Sequence, residues 1–366
     1  MKIRLLTLAG FLTLILCLSA CTVPQTITPI PQPVPATSAK ADLSKSSLAP
    51  RINPPTATIR PQLTCTACTW KPTPATPTSS STSTPVMRTA TVKVEKLDVW
   101  DDPANENSYW HRQTQLITGE QVLIVSDKNE WTQIIASQQP SSQDERGYPG
   151  WVRANGLAVG LDQSSADYLV VIARSSVALA APQPGADRLL RLYLDTRLPV
   201  VTKNSDWVEA ALPDGRQAWL PIEDVNLHNV NDLVEPFPTG AIIITARSLA
   251  NAPYLWGGTT PDSPDCSGFI YRLFHAYGIS PARDANDQVL QGQLTTFDLK
   301  QAGDLIFYSD VSGGPVTHVG LYMGGNQIMD ANPFLGLTIH PVSDMQKWYV
   351  FYSVRRFSSS LNSSTW

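Results

Sequence analysis

Charge is scarce in this chain of 366 residues. Lys and Arg number 27, Asp and Glu 31, and together they make up 16% at a net charge of −4. That balance leaves no basic face for a polyanion, so nucleic acid is not an expected partner. Cysteine is scarcer still: there are five, and only Cys266 lies beyond residue 68. No ligand cluster such as HExxH is present, so neither a metal nor a cofactor is expected. A long apolar run is also missing, because Leu5 to Leu18 is too short and too poorly flanked for a spanning helix. Between Thr22 and Pro85 the aromatics almost vanish, with Trp70 the only one.

What is present begins with an export signal over residues 1–21. Lys2 and Arg4 come first, then the apolar run, then Leu18-Ser19-Ala20-Cys21. Small residues directly before a cysteine resemble a bacterial lipobox. In lipoproteins that match it, the cysteine becomes the lipid-bearing first residue. Cys21 is therefore the expected lipidation site, with an ordinary cleaved signal as the alternative. The expected location is the cell envelope, outside the cytoplasm and anchored to a bacterial membrane. Residues 22–86 are rich in Pro, Thr and Ser, and 13 of the 30 prolines fall before residue 87. Such a segment buries too little apolar surface to offset its ordering entropy and is expected to be a disordered tether. Within it Cys65 and Cys68 form a lone CxxC with no strand before it and no helical pattern after it. A local disulfide is expected there rather than a zinc site.

An internal repeat follows. LITGEQVLIVSDKNEWTQI (116–134) lies over LYLDTRLPVVTKNSDWVEA (192–210) without a gap, and each copy closes on a second tryptophan, Trp151 or Trp219. Period-two alternation broken by polar turns indicates small antiparallel barrels, one over 87–160 and one over 167–228. The pattern resembles paired bacterial SH3 domains. Trp131, Trp151, Trp207 and Trp219 are expected in the barrel cores. Only the first copy carries the polar loop SQQPSSQDERGYPG (137–150).

Residues 236–358 switch to mixed helix and strand. The spacing predicts a helix over Thr239–Ala250, then an amphipathic one opened by Asp265 and closed by Gly278, with Phe269, Ile270, Leu273 and Tyr277 on its apolar stripe. Cys266 falls in the first turn, where unpaired backbone N–H groups and the helix dipole favour a thiolate. A free thiol outside the cytoplasm is usually oxidised unless its reactivity is wanted. Of the five histidines, His275 lies about 180° round the same helix from Cys266. His111 and His228 belong to the barrels, and His340 has an exposed or structurally satisfied role. His318 remains, on a strand whose hairpin turns at Gly324-Gly325-Asn326 and returns to Asp330. Those two residues are expected opposite one another or within one step, with the carboxylate orienting the imidazole towards the thiol.

The segments YLWGG (254–258), DCSG (265–268), RDANDQ (283–288), GDLIFY (303–308) and HVGLY (318–322) look like the NlpC family of cell-wall cysteine peptidases, in family order. With two SH3-like domains ahead, the layout is similar to γ-D-glutamyl-L-diamino acid endopeptidases. The resemblance implies a papain-like α+β domain in which Cys266 is the nucleophile, His318 its base and Asp330 the third member. Family members most often carry His at that third position, so Asp330 is a departure. It further implies that Tyr254, Asp265 and Ser267 line the pocket, the last two recognising the free amino group of an L-alanyl end. A tyrosine of the first barrel closes that pocket, with Tyr148 the candidate and Tyr109 the alternative. Trp256 is expected in the core, and Arg283 with Asp284 as a structural ion pair. The expected substrate is a peptidoglycan stem peptide or muropeptide. The competing readings are a wall-binding scaffold without turnover and an amidase or acyltransferase on the same frame.

Overall fold

The computed structural model describes residues 88–160, 165–232 and 237–358. The expected signal, Cys21, and the tether with Cys65 and Cys68 lie outside the described residues. The alternating segments fold as two antiparallel sheets. The first holds β1 (Thr89–Val92), β2 (Lys96–Trp100), β3 (Arg112–Ile117), β4 (Gln121–Lys128), β5 (Trp131–Ala136), β6 (Tyr148–Arg153) and β7 (Leu157–Val159). The second holds β8 (Asp167–Val171), β9 (Ser175–Leu179), β10 (Arg188–Tyr193), β11 (Arg197–Lys203), β12 (Trp207–Ala211), β13 (Gln217–Pro221) and β14 (Val225–Asn229). Their strand orders, β3-β2-β6-β5-β4-β1-β7 and β10-β9-β13-β12-β11-β8-β14, match strand for strand.

Each sheet wraps its own aliphatic core. Val92, Val99, Leu116, Val122, Ile134 and Val152 fill the first, and Leu169, Val171, Leu192, Leu198, Val208 and Leu220 the second. Three of the four repeat tryptophans do not anchor these interiors as expected. Trp151, Trp207 and Trp219 are only half-buried. Strand alternation turns their neighbours Val152, Val208 and Leu220 inward and the indoles outward. Trp131 is buried as expected, with the Arg153 guanidinium 4.4 Å from its ring centroid.

From residue 237 onwards the chain forms α1 (Thr239–Ser248), α2 (Cys266–His275), the short α3 (Ala285–Gln288) and six strands. These are β15 (Gln293–Thr295), β16 (Leu305–Ser309), β17 (His318–Gly324), β18 (Gln327–Asn332), β19 (Gly336–Pro341) and β20 (Val350–Arg356). They build one antiparallel sheet in the order β15-β20-β16-β17-β18-β19. α2 lies across β17 and β18, packing Phe269, Ile270 and Leu273 with Val319, Leu321 and Met329. Burying each such side chain contributes about 1.5–3 kcal/mol.

The helix departs from its sequence pattern in one respect: all ten residues are buried, not one face alone. The two barrels cover what an isolated domain would expose. Arg272 Nη1 reaches Glu120 of the first barrel at 2.5 Å and Asp195 of the second at 3.0 Å. His275 Nδ1 meets the same Asp195 at 2.7 Å, and Arg197 donates to the His275 carbonyl. Burial is tolerable for these charges because each is paired. The loop unique to the first copy makes a second junction. The Arg283 N–H donates to the Pro140 carbonyl at 2.9 Å, the Ser142 N–H to Asp287 at 2.8 Å, and the Tyr271 hydroxyl to the Gln138 carbonyl at 3.0 Å.

Candidate active site

Asp265 begins α2 by accepting the Gly268 N–H at 2.6 Å, the N-cap bond that its position predicts. Gly268 is required there because a Cβ would stand 2.0 Å from the Gly258 carbonyl oxygen. The other Asp265 oxygen accepts the Gly257 N–H at 3.0 Å. Arg283, itself 1% exposed, holds both oxygens, at 2.7 and 3.1 Å. Its Nη1 also reaches Ser267 Oγ at 3.0 Å, and its Nε reaches Thr114 Oγ1 of the first barrel at 2.8 Å. Arg283 makes the expected ion pair with Asp284, at 4.0 Å, and a closer one with Asp265 at 2.7 Å that the sequence reading did not include. Asp265 and Ser267 do border the groove, but their polar atoms meet protein partners that fix the start of the helix.

His318 and Asp330 sit on neighbouring strands. Leu321 pairs with Met329 and Tyr322 with Ile328, so the register sets Asp330 beside Gly320, diagonal to His318. The offset is two residues, one more than expected, and it keeps both side chains on one face. Gly320 gives the carboxylate room, since a Cβ there would lie 3.2 Å from Asp330 Cβ and 2.6 Å from Ile328 Cδ1. His318 Nε2 lies 2.6 Å from Asp330 Oδ2, and Cys266 borders the same groove, near enough for its charge to act on the ring. With Nε2 occupied, Nδ1 is the nitrogen left for the sulfur. Burial alone would disfavour the imidazolium. The negative charge on Cys266 and the hydrogen bond to Asp330 outweigh it, raising His318 to about 10. Burial also opposes the Asp330 carboxylate, yet bonds from His318 and His340 hold it down at about 2.

The sequence had set His340 aside. On β19 it is diagonal to Asp330, and its Nε2 lies 2.5 Å from Asp330 Oδ1; that bond raises its pKa. The alternation of GLTIHP (336–341) was the available signal, but the β18–β19 pairing that makes it useful is not written in the sequence. Asn332 Nδ2 donates to Asp330 Oδ2 at 3.2 Å. The Tyr349 ring lies parallel to His318, 4.4 Å between centroids at 5°, and had no sequence signal.

These groups open on a groove of about 560 Å³ between the first barrel and the catalytic sheet. Tyr254 and Tyr148 both border it. Tyr148 donates from its buried hydroxyl to Asp284 Oδ2 at 3.0 Å. Burial first, then its acidic neighbours, raises the Asp284 pKa against the pull of Arg283. Tyr109 is not in the wall of the groove; its neighbour Trp110 is, edge-on to Trp256 at 5.1 Å. Trp256 is 41% exposed and lines the groove, so it is not the core residue expected. A sulfur at a helix start, a ring nitrogen left for it and a carboxylate behind that ring form a nucleophile–base–orienter set.

Comparison with known proteins agrees with this geometry. Residues 251–356 match the NlpC/P60 family and residues 179–228 the YKFC SH3b2 domain. A gamma-D-glutamyl-L-lysine dipeptidyl-peptidase of Bacillus cereus (strain ATCC 10987 / NRS 248) is 30% identical over 237 residues, covering 63% of this chain and 71% of that protein. One of the same description from Bacillus subtilis (strain 168) is 33% identical over 218 residues, or 59% and 71%. The crystal structure of an NlpC/P60 family protein from Bacillus cereus ATCC 10987 shares the fold, with a TM-score of 0.67 over 74% of this chain and 99% of that one at 24% identity. A papain-like unit behind SH3-like barrels, joined to identity of this extent across them, leads to one conclusion: the chain belongs to the NlpC/P60 family and is a cysteine peptidase.

Proposed function

We propose that this peptidase hydrolyses peptidoglycan stem peptides at the γ-D-glutamyl-L-diamino acid bond, on peptides that begin with a free L-alanine. The observation that carries the reading is the buried chain from Cys266 through His318 to Asp330. The Cys266 thiolate attacks the carbonyl carbon. The Cys266 N–H, at the first turn of α2 where no intrahelical acceptor exists, stabilises the oxyanion. His318 passes its Nδ1 proton to the leaving amine, and water then hydrolyses the thioester with His318 as base. Asp330 keeps the Nε2–H oriented throughout.

The relatives named for γ-D-glutamyl-L-lysine support this choice of bond. Because Asp265 and Ser267 are spent on α2 and Arg283, we assign the alanyl ammonium to Asp284, steadied by Tyr148. The residues before 88 support an envelope lipoprotein anchored through Cys21, with the peptidase held out towards the wall.

Incubation of defined muropeptides with the full chain, followed by mass analysis of the new termini, tests the proposal. Fragments that begin at the diamino acid are expected, and Cys266→Ala abolishes them. Release of intact stem peptide from the sugar instead would make the protein an amidase, and no cleavage at all would leave a wall-binding scaffold.

A further inference from the structure

Three carboxylates border the groove beside Cys266: Asp265, Asp284 and Asp310. Asp265 is held by Arg283, and Asp284 is bonded to Tyr148 of the first barrel. Asp310 is exposed, in the loop between β16 and β17. Tyr349, also in the wall of the groove, lies flat on His318. Thr317, directly before His318, donates from Oγ1 to Asp310 Oδ1 at 2.9 Å and ties the carboxylate to the base-bearing strand.

Among the described residues Asp310 has no ion-pair partner. The only lysine or arginine among the described residues in the wall of the groove is Arg112. It belongs to the first barrel, with Nε 3.2 Å from Asp98 and Nη1 3.3 Å from the Trp256 carbonyl. Asp310 is therefore the groove carboxylate tied to the strand that carries His318, and no lysine or arginine of the groove wall is paired with it.

We infer that Asp310 is a specificity-determining residue that favours a leaving diamino acid with a cationic side chain of lysine type over one that is neutral or carries a second carboxylate. The inference rests on the proposed bond and orientation of cleavage. An exposed ion pair of this kind is worth roughly a two- to fivefold preference, and it weakens as salt screens it.

The test uses the full chain and three tripeptides, L-Ala-γ-D-Glu-L-Lys, the same peptide with norleucine in place of lysine, and the same with meso-diaminopimelate. Wild-type kcat/KM is expected to follow the order lysine, norleucine, diaminopimelate, with the gaps shrinking as NaCl rises. Asp310→Asn keeps an oxygen for Thr317 and is expected to bring lysine and norleucine level without lowering the norleucine rate. Asp310→Glu restores the preference. A lysine-to-norleucine ratio equal in wild type and Asp310→Asn overturns the inference while leaving the proposed cleavage standing. Failure of the wild type to cut any of the three overturns both.

Discussion

Replacing Asp330 by Asn removes one negative charge and almost no volume. The amide oxygen can still accept the His318 Nε2–H. Its NH₂ can meet a neutral His340, whose Nδ1 lies 3.2 Å from the Pro341 carbonyl and can carry the proton instead. Geometry is retained, and the charge is lost. His318 is lifted from its ordinary 6.5 to about 10, and two of the causes come from Asp330: its hydrogen bond and its charge. A hydrogen bond to a charged group contributes about 1.5–3 kcal/mol against about 0.5–1.5 for a neutral one. The difference, roughly 1–1.5 kcal/mol, corresponds to about one pH unit. Catalysis needs the imidazolium, so wild-type kcat/KM should fall as pH rises through about 10. In Asp330→Asn that limb is expected about one unit lower, with kcat down about tenfold at neutral pH. NMR titration of the His318 ring should move by the same amount. Stability follows the same proton. A raised histidine pKa stabilises the fold in full below the unfolded value near 6.5, and that contribution is lost as pH rises through about 10. For Asp330, held at about 2, the contribution is present above 3.8 and lost as pH falls towards 2. An alkaline limb and a His318 titration that both stay in place in Asp330→Asn would refute the reasoning, because the Cys266 charge alone would then be holding the proton.

Gly320→Ala drives a methyl against Ile328 and the Cβ of Asp330. It should cost about 1–3 kcal/mol by chemical denaturation and lower kcat more than it raises KM. Asp265→Ala removes the N-cap of α2 and strands the buried Arg283 guanidinium. A loss of about 3–5 kcal/mol is expected, and Asp265→Ala with Arg283→Met together should cost less than Asp265→Ala alone; a double variant at least as unstable as the single one would count against the pairing.

Local chemistry was the part of the site that could be read in advance. An acidic residue before Cys266, three residues ahead of Gly268, specifies a cap wherever the helix lies. The glycine turn after β17 brings two strands together whatever surrounds them. Tyr148 was reachable because its loop interrupts an otherwise gapless repeat. What escaped depends on pairing between distant segments. Arg283 sits closer to Asp265 than to its sequence neighbour Asp284, and the first barrel supplies Thr114 and Pro140 to orient it. His340 joins Asp330 only through the β18–β19 register. Trp151, Trp207 and Trp219 misled for a different reason: size suggests interior, but in strands this short parity decides, and their aliphatic neighbours hold the inward places.

The polar loop of the first barrel has a consequence for how such enzymes diversify. Gln138 holds Tyr271 of α2, Pro140 and Ser142 grip the segment that carries Arg283 and Asp287, and Tyr148 at the loop's end reaches Asp284. One wall of the reaction chamber is thus encoded more than a hundred residues upstream of the sulfur. Lengthening or trimming that insertion retunes which peptides fit without altering a single reacting atom, whereas excising the module ahead of it strips the hydrolase of both a wall and a foundation.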